Sequence, residues 1–400
     1  MQPELLPLLK GEEYFNQMDI ATIDKAIDKL SPVDKQIFAR FYTSAVYTSR
    51  MLIPEGMYPW VTSQFGSLKD VTTQRVVRLT NKITGEETIF NPLRLKRPHD
   101  IKETTCYSLD SFDKCLDSFN HPLQNTPEDT FGRVRGKYCL TASNIAKCDG
   151  QHGVVIFNEH HPLRFGEAEV ADYIDTAWRW AKSAHRESPT NKYFFYSWNC
   201  LWRSAASLIH GHGQVMLTRG RHFARIEHLR KCALAYRRRH KHRYFDDLYL
   251  IHRAMGLAHE NDGVRVLSYL TPVKNSGIVI LGKALDAPFK KTVYRTLSFY
   301  RDTLNVVSFN LAIVTPPLSP TRENWDDIPV IAWLADRGSL DNHSCDIGAL
   351  ELFASTAVTS DPFSLAAKMK AFIPEKRGGH HPTTTKTEAI SQCILQDQAL

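Results

Sequence analysis

The segment SLIHGHGQVML, residues 207–217, places two imidazoles and an amide at alternate positions: His210, His212 and Gln214. In a strand, alternate side chains lie on one face, so these three would point the same way. A neutral imidazole can attack phosphorus and form a covalent phosphohistidine, while neighbouring donors hold the non-bridging oxygens. An amide cannot protonate a leaving group, so Gln214 favours transfer to a second substrate over hydrolysis. Metal binding and a purely structural polar strand are the alternatives, and the pattern favours chemistry.

The elements that must position these side chains alternate in type. Residues 1–75 are predicted to be a helical N-terminal extension. A strand, an amphipathic helix and paired strands then occur twice, in 76–245 and in 246–373. The two predicted helices are EAEVADYIDTAWRWAKSAHRE and KKTVYRTLSFYRDTLNVV. The predicted strands include KYFFYSW, SLIHGHGQVML, FNLAIVTPP and PVIAWLAD. This order predicts an α+β fold with an internal duplication, followed by a disordered tail at 374–400.

Composition narrows the class of protein. The net charge is +7, and the densest basic run is LRKCALAYRRRHKHRYFDD. That run is either a solvated helix face or a surface that attracts anions; no nucleic-acid-binding motif accompanies it, so nucleic acid is not expected as a partner. The eight cysteines contain no C-x-x-C pair. With no apolar run long enough for a membrane helix and no signal peptide, the sequence predicts a cytoplasmic protein with reduced thiols and no membrane partner.

The segment around the two histidines carries a family resemblance. WNCLWRSAASLIHGHGQV resembles the active-site segment of the galactose-1-phosphate uridylyltransferases, of the histidine-triad superfamily. The residues at matching spacings are Asn199, Ser207, His210, His212, Gly213 and Gln214. The resemblance implies a duplicated histidine-triad-like fold with antiparallel sheets. It also implies that His212 is the nucleophile and that Gln214, Ser207 and Asn199 contact the nucleotide phosphates.

Flanking segments extend the resemblance over residues 80–372. TGEETIFNPLRLKRP is similar to a basic loop of the family, which implies that Arg94 and Arg97 grip the nucleotide diphosphate. ASNIAKCDGQHGVVIFNEHHPL is similar to the preceding strand pair. It implies that Asn144 lies near the ribose, and it places His152 and His160 where the family also has histidine. IGALELFASTAVTSDPFSLAAKM implies that Glu351 closes over the sugar phosphate.

Three departures from the family pattern modify these expectations. The family's zinc site is matched by Cys115, His160 and His210, but Ser118 replaces its second cysteine; Asp117 is a possible substitute. No cofactor is therefore predicted to be required, and zinc remains a possibility. PVIAWLADRGSL contains no histidine, so the second repeat is expected to shape the pocket. LFASTAVTSD is more apolar than the family's sugar segment, which puts galactose itself in question.

These observations predict a nucleotidyltransferase. It would move a nucleoside monophosphate between a nucleoside diphosphate-sugar and a sugar 1-phosphate or phosphate, through a covalent nucleotidyl-His212 intermediate. Two alternatives stay open: a phosphorylase of a nucleoside diphosphate-sugar or a dinucleoside polyphosphate, and a catalytically silent homologue that only binds. The base and the sugar are not specified by the sequence, and a homodimer is implied by the resemblance alone.

Overall fold

Two β-sheets form the frame of the protein in the computed structural model, which describes residues 18–96, 112, 117–342 and 347–373. Arg97, Cys115 and the tail 374–400 lie outside the described residues, so the predictions made for them are not addressed. Among the helices of the described part, none is long and apolar enough to cross a membrane.

The larger sheet has nine strands in the order β4-β5-β7-β6-β11-β12-β10-β9-β8, with antiparallel pairing throughout. Its strands are β4 Cys139–Ser143, β5 His152–Phe157, β6 Asn191–Asn199, β7 His212–Arg219, β8 Ala258–Asn261, β9 Val264–Ser268, β10 Ile278–Gly282, β11 Phe309–Val314 and β12 Val330–Asp336. The smaller sheet has the order β1-β2-β3-β13, with β1 Tyr42–Arg50, β2 Thr73–Asn81, β3 Glu87–Phe90 and β13 Ser355–Val358. The fold is therefore mixed α and β with antiparallel pairing dominant, as predicted.

The helices surround the larger sheet. They are α1 Ile23–Lys29, α2 Pro32–Phe41, α3 Tyr58–Phe65, α4 Leu68–Thr72, the single turn α5 Pro122–Asn125, α6 Glu167–Glu187, α7 Ala224–His240, α8 Tyr244–Ala254, α9 Ala287–Asp302 and α10 Pro362–Phe372. Helix α6 has the bounds predicted from its hydrophobic periodicity, and the buried residues Val170, Ile174 and Ala177 lie on its sheet-facing side.

Helices α6 and α9 cover one face of the larger sheet, and glycines permit their close approach. A Cβ atom at Gly153 of β5 would come within 2.7 Å of the Trp180 ring of α6. A Cβ atom at Gly282 of β10 would come within 2.5 Å of the Phe289 ring of α9. Because these rings are fully buried, the glycines let a helix pack directly on the strand.

The opposite face of the sheet is covered only over part of its width. Around β9, β10 and β12, buried residues such as Leu267, Val279 and Ile331 share a hydrophobic core with α1, α2, α7, α8 and the smaller sheet. Around β5 and β7 the same face carries the polar side chains His152, His212 and Gln214 beside Val154 and Ile156. The covered part of this face lies mainly in the second half of the chain.

The two halves of the larger sheet have the same strand order when each is followed inward from its edge. In the first half the order is β4-β5-β7-β6, and in the second half, inside the additional edge strand β8, it is β9-β10-β12-β11, with β6 and β11 paired at the centre. One long helix follows the second strand of each half along the chain: α6 connects β5 to β6, and α9 connects β10 to β11. The predicted boundary between residues 245 and 246 falls inside α8, and the division into domains remains a prediction.

Two expectations about local structure were wrong. The 1–75 extension was predicted to be helical, but residues 42–50 form β1, which pairs along its length with β2. Its sequence, YTSAVYTSR, is rich in the aromatic and β-branched residues that pack well on a sheet. The SLIHGHGQVML segment was predicted to be a strand throughout, but β7 begins at His212 and His210 lies in the turn before it.

Candidate active site

The candidate site lies on the open face of the first half of the larger sheet. His212 and Gln214 of β7 lie opposite Ile156 and Val154 of β5, so all four side chains share that face. Gly213 faces the helix side, where an added Cβ atom would come within 2.6 Å of the Tyr196 hydroxyl. The alternation predicted from the sequence therefore holds for His212 and Gln214.

The His212 ring is held in one tautomer. Its Nδ1 lies 2.7 Å from the carbonyl oxygen of His210, which can only accept a hydrogen bond. The proton of the neutral ring is therefore on Nδ1, and Nε2 keeps its lone pair. Burial lowers the pKa of His212, because a charged imidazolium would lose hydration. The ring is 7% exposed. The ring is consequently neutral at pH 7 and held with Nε2 as its unprotonated nitrogen.

His210 anchors this arrangement. Its Nε2–H donates to the carbonyl oxygen of Phe157 at 2.9 Å, so Nδ1 of the neutral ring is an acceptor. That Nδ1 lies 3.1 Å from Nδ1 of His160 and 3.5 Å from Oδ1 of Asp117. Burial lowers the pKa of His210 as well. The Phe119 ring, two residues after Asp117 in the chain, packs edge-on against both His210 and His212.

Asp117, His160 and His210 form a donor set that suits zinc. One ligand atom from each lies within 4.8 Å of the others, and two imidazole nitrogens with one carboxylate oxygen are ordinary zinc ligands. Asp117, not Ser118, is the residue that faces the histidines. The buried Nε2 of His160 has no hydrogen-bond partner in the described part of the chain, whereas a metal-ligating histidine usually donates from its second nitrogen. The set therefore provides three ligands of a tetrahedral ion, with the usual outer hydrogen bond present for His210, to the Phe157 carbonyl, and missing for His160 within the described residues.

Gln214 is oriented by His152. The backbone N–H of Cys148 donates to Nδ1 of His152 at 3.0 Å, which places the ring proton on Nε2. That Nε2 lies 3.2 Å from Oε1 of Gln214, so the ring donates to the amide oxygen. The NH₂ group of Gln214 is left to donate elsewhere. Burial lowers the pKa of His152, which favours this neutral form. Nδ2 of Asn144 lies 3.1 Å from the same ring nitrogen, where a donor faces a donor, so Asn144 is a close neighbour of His152 without a hydrogen bond to it in this tautomer.

Asn199 ends β6 on the same face. Its Oδ1 accepts a 2.7 Å hydrogen bond from Nδ2 of Asn310 on β11, so its NH₂ group is also left as a donor. Ser207 is exposed and precedes His210 in the turn leading to β7. The structure therefore brings Asn144, Asn199, His210, His212 and Gln214 onto one face of the sheet.

Arg94 and Glu351 are not part of this group. No hydrogen bond, ion pair or ring contact joins either residue to His210 or His212 within the described residues. Arg94 is exposed and follows β3, whereas Glu351 precedes β13, which runs parallel to β3. The two side chains thus emerge from opposite ends of the smaller sheet. Glu351 accepts a hydrogen bond from the Gly348 N–H and lies 3.7 Å from the Lys274 ammonium.

The sequence interpretation missed the contacts that His152 and Asn310 make in this site, to Gln214 and Asn199 respectively. Asn310 is the second residue of FNLAIV, where a polar residue interrupts an apolar strand, and that was the available signal. Which residue it contacts depends on the pairing of β11 with β6.

A separate cleft of about 730 Å³ lies on the helix side of the sheet. Its lining includes Glu169 and Tyr173 of α6, Phe165 and Arg301. None of the candidate site residues lines it. The candidate active site is the polar part of the β7 face, because the oriented imidazole and the amides lie there.

No family model and no curated protein sequence matches the chain. Solved structures do. An ADP-glucose phosphorylase from Arabidopsis thaliana with bound ADP-glucose superimposes with a TM-score of 0.56 at 17% identity, over 74% of this chain and 98% of that chain. A uridylyltransferase and a galt-like protein from Arabidopsis thaliana give TM-scores of 0.50 and 0.51 at 14% identity, with the same shares covered.

The protein has a uridylyltransferase-like fold. The likeness spans nearly the whole length of those structures while the sequences have diverged widely. The uridylyltransferase-like fold confirms the resemblance that the central histidine segment indicated. At such identities the likeness concerns the fold, and activity must be argued from the side chains.

Proposed function

We propose that the protein is a nucleotidyltransferase that moves a nucleoside monophosphate through a covalent intermediate on His212. The donor would be a nucleoside diphosphate-sugar, and the acceptor a sugar 1-phosphate or inorganic phosphate. The observation that carries the proposal is the hydrogen bond from Nδ1 of His212 to the His210 carbonyl oxygen, because it leaves Nε2 as the nucleophilic atom.

The reaction proceeds by two displacements. In the first, the Nε2 lone pair attacks the α-phosphorus, an N–P bond forms, and the bond from that phosphorus to the bridging oxygen breaks. The sugar 1-phosphate leaves with the bonding electrons. In the second, a phosphate oxygen of the acceptor attacks the same phosphorus and the N–P bond breaks, which returns the neutral imidazole. The positive charge on the ring in the intermediate is stabilised by the Nδ1–H bond to the His210 carbonyl.

Two amides are suited to hold the phosphate oxygens. His152 occupies the oxygen of Gln214 and Asn310 occupies the oxygen of Asn199, so each amide presents its NH₂ group as the free donor. Donors fixed in advance stabilise charge on a transferring phosphoryl group without reorganisation during the reaction. Ser207 and Asn144 are proposed as further contacts to phosphate and ribose. Arg94 and Glu351 remain predictions, because each would have to reach the substrate from another part of the molecule.

The second half of the larger sheet is proposed to be a diverged copy of the first that keeps no chemistry of its own. The matching strand order and the matching positions of α6 and α9 support this duplication. Zinc, if bound by Asp117, His160 and His210, would supply structural fixation of the turn before β7 and take no part in the displacements.

Two other functions are alternatives to nucleotidyl transfer between sugar phosphates. A phosphorylase would share the nucleophile and the phosphate contacts but use inorganic phosphate as the acceptor, and the ADP-glucose phosphorylase among the similar structures keeps this alternative open. Product analysis with phosphate against sugar 1-phosphate separates the two. A silent binding homologue would bind nucleotide but form no covalent adduct.

The test is covalent labelling. Incubation with UDP-glucose or ADP-glucose, each labelled with ³²P in the α-phosphate, should give an acid-labile, base-stable protein adduct. His212→Gln should abolish the adduct and lower transfer on the order of 10⁴-fold, because the covalent route is lost. His121→Gln, at an exposed histidine, is the matched control and should label normally. Nucleotide binding with no adduct in the wild type would reject the transferase and leave the silent homologue.

A further inference from the structure

The two halves of the larger sheet meet at a pair of asparagines. Asn199 of β6 and Asn310 of β11 are directly opposite each other in the central strand pair. Their amides are in contact, since Nδ2 of Asn310 lies 2.7 Å from Oδ1 of Asn199. The same Nδ2 lies 3.0 Å from the carbonyl oxygen of Ser204. Asn310 thus uses both hydrogens of its NH₂ group.

The orientation of the Asn310 amide is fixed independently by its other neighbours. A guanidinium is only a donor and a backbone carbonyl is only an acceptor. The guanidinium of Arg337 donates to Oδ1 of Asn310, and the Ser204 carbonyl accepts from Nδ2. Exchanging the amide O and N of Asn310 would place donor against donor and acceptor against acceptor. Nδ2 of Asn310 must therefore donate the hydrogen bond to Asn199, and Oδ1 of Asn199 must accept it.

We propose that Asn310 and Arg337 are positioning residues for nucleotidyl transfer. They turn the Asn199 amide so that its NH₂ group, and not its oxygen, faces the phosphate. This inference rests on the proposed function and deepens it. Neither Asn310 nor Arg337 touches the substrate, and both act through Asn199. The second half of the chain, which has no histidine in β12, would contribute to the reaction in this way.

A rotated Asn199 amide would weaken the binding of the nucleotide phosphate. An amide oxygen and a phosphate oxygen are both acceptors, so their approach replaces a hydrogen bond with repulsion. The contact to Ser204 adds a second constraint. Ser204 lies in the turn between Leu201 and Ala205, two non-glycine residues with positive φ of 66° and 71°. Asn310 therefore also holds the strained turn from which the chain continues to Ser207 and His210.

The decisive variant is Asn310→Asp. A carboxylate at this position still accepts from Arg337, but it cannot donate to Asn199. The NH₂ group of Asn199 would then turn towards residue 310, and its oxygen would turn towards the substrate. We expect affinity for UMP or AMP, measured by titration calorimetry, to fall about 10- to 100-fold. Asn310→Leu offers neither donor nor acceptor, releases the amide without turning it, and should cause a smaller loss. Asn305→Asp, at an exposed loop position, makes the same chemical change as a control.

The added negative charge is separated from the orientation effect by a double-mutant cycle. In an Asn199→Ala background there is no amide to turn, so Asn310→Asp should lose affinity only through its contact to Ser204, by a clearly smaller factor than the loss of about 10- to 100-fold in the wild-type background. Charge repulsion or general destabilisation would instead reduce affinity equally in both backgrounds, and that result would overturn the inference. So would unchanged affinity in the single variant Asn310→Asp. Thermal unfolding midpoints identify a variant that fails to fold, in which case Asn310→Leu serves for the same cycle.

The failure of the inference can be distinguished from failure of the proposed function. If the wild-type protein binds neither UMP nor AMP and forms no adduct, the nucleotidyl-transfer proposal itself is rejected. If the wild type binds and labels but the cycle shows additive effects, the proposed function stands and the positioning role of Asn310 and Arg337 is rejected.

Discussion

The corresponding strands β7 and β12 carry different side chains on the same face of the larger sheet. On β7 this face carries His212 and Gln214, whereas on β12 it carries Ile331 and Trp333. Ile331 is 1% exposed and belongs to the core formed with α1, α2, α7 and α8. Strand order and strand pairing are alike in the two halves, so the backbone does not account for the difference.

The difference follows from what packs over each half. A face covered by apolar helices cannot hold polar groups without partners, because each would lose its hydration. The polar face of β7 satisfies its groups internally, through His152 for Gln214 and the His210 carbonyl for His212. The comparison teaches that oriented polar groups are retained where the sheet is not covered by helices.

The largest effect should come from making the covered half polar. Ile331 lies between Leu281 and Val314 in the neighbouring strands, and all three are buried. Ile331→Gln would bury an amide without a partner and should lower the free energy of unfolding by about 3 kcal/mol. Urea unfolding measures this, with the volume-conserving Ile331→Leu as the control. A loss below about 1 kcal/mol would show that this half tolerates polarity and would break the comparison.

The reverse change, making the open half apolar, should affect activity more than stability. Gln214→Leu removes a proposed phosphate donor, and nucleotidyl transfer should fall about 100-fold. The free energy of unfolding should change by only about 1 kcal/mol, since His152 loses one acceptor in a partly open position. Transfer rates and urea unfolding measured on one preparation check both parts. A large loss of stability with unchanged transfer would assign Gln214 to the fold.

A smaller change in unfolding free energy per pH unit is expected from a buried histidine of the second half. Burial lowers the pKa of His259 on β8 from 6.5 to about 4. Below pH 6.5 the unfolded chain binds the proton first, so stability is lost as pH falls from 6.5 towards 4, by about 1.4 kcal/mol per pH unit for this group. His259→Leu should reduce the slope of unfolding free energy against pH by about that amount, while His121→Leu at an exposed site should not. An unchanged slope would show that His259 is protonated in the folded protein.

Prediction from sequence succeeded where a local pattern decides the outcome. The 3.6-residue periodicity of α6 and the alternation of His212 and Gln214 were read correctly, because each depends on neighbouring residues. It failed for residues 42–50, which were grouped with the helices before them, and for His210, which lies outside β7. Those errors arose because pairing with a distant strand, β2 for the first and β5 for the second, sets where a strand begins.

The sequence by itself determined the nucleophile candidate, the amide two positions after it, and the alternation of strands and helices that carries them. Only the tertiary structure decided which atom of each group is available. That choice depends on hydrogen bonds between residues far apart in the chain, such as Asn310 to Asn199 across 111 positions and His152 to Gln214 across 62. A side chain's type is written in the sequence, but the direction of its donors is set by the partners that strand pairing brings beside it.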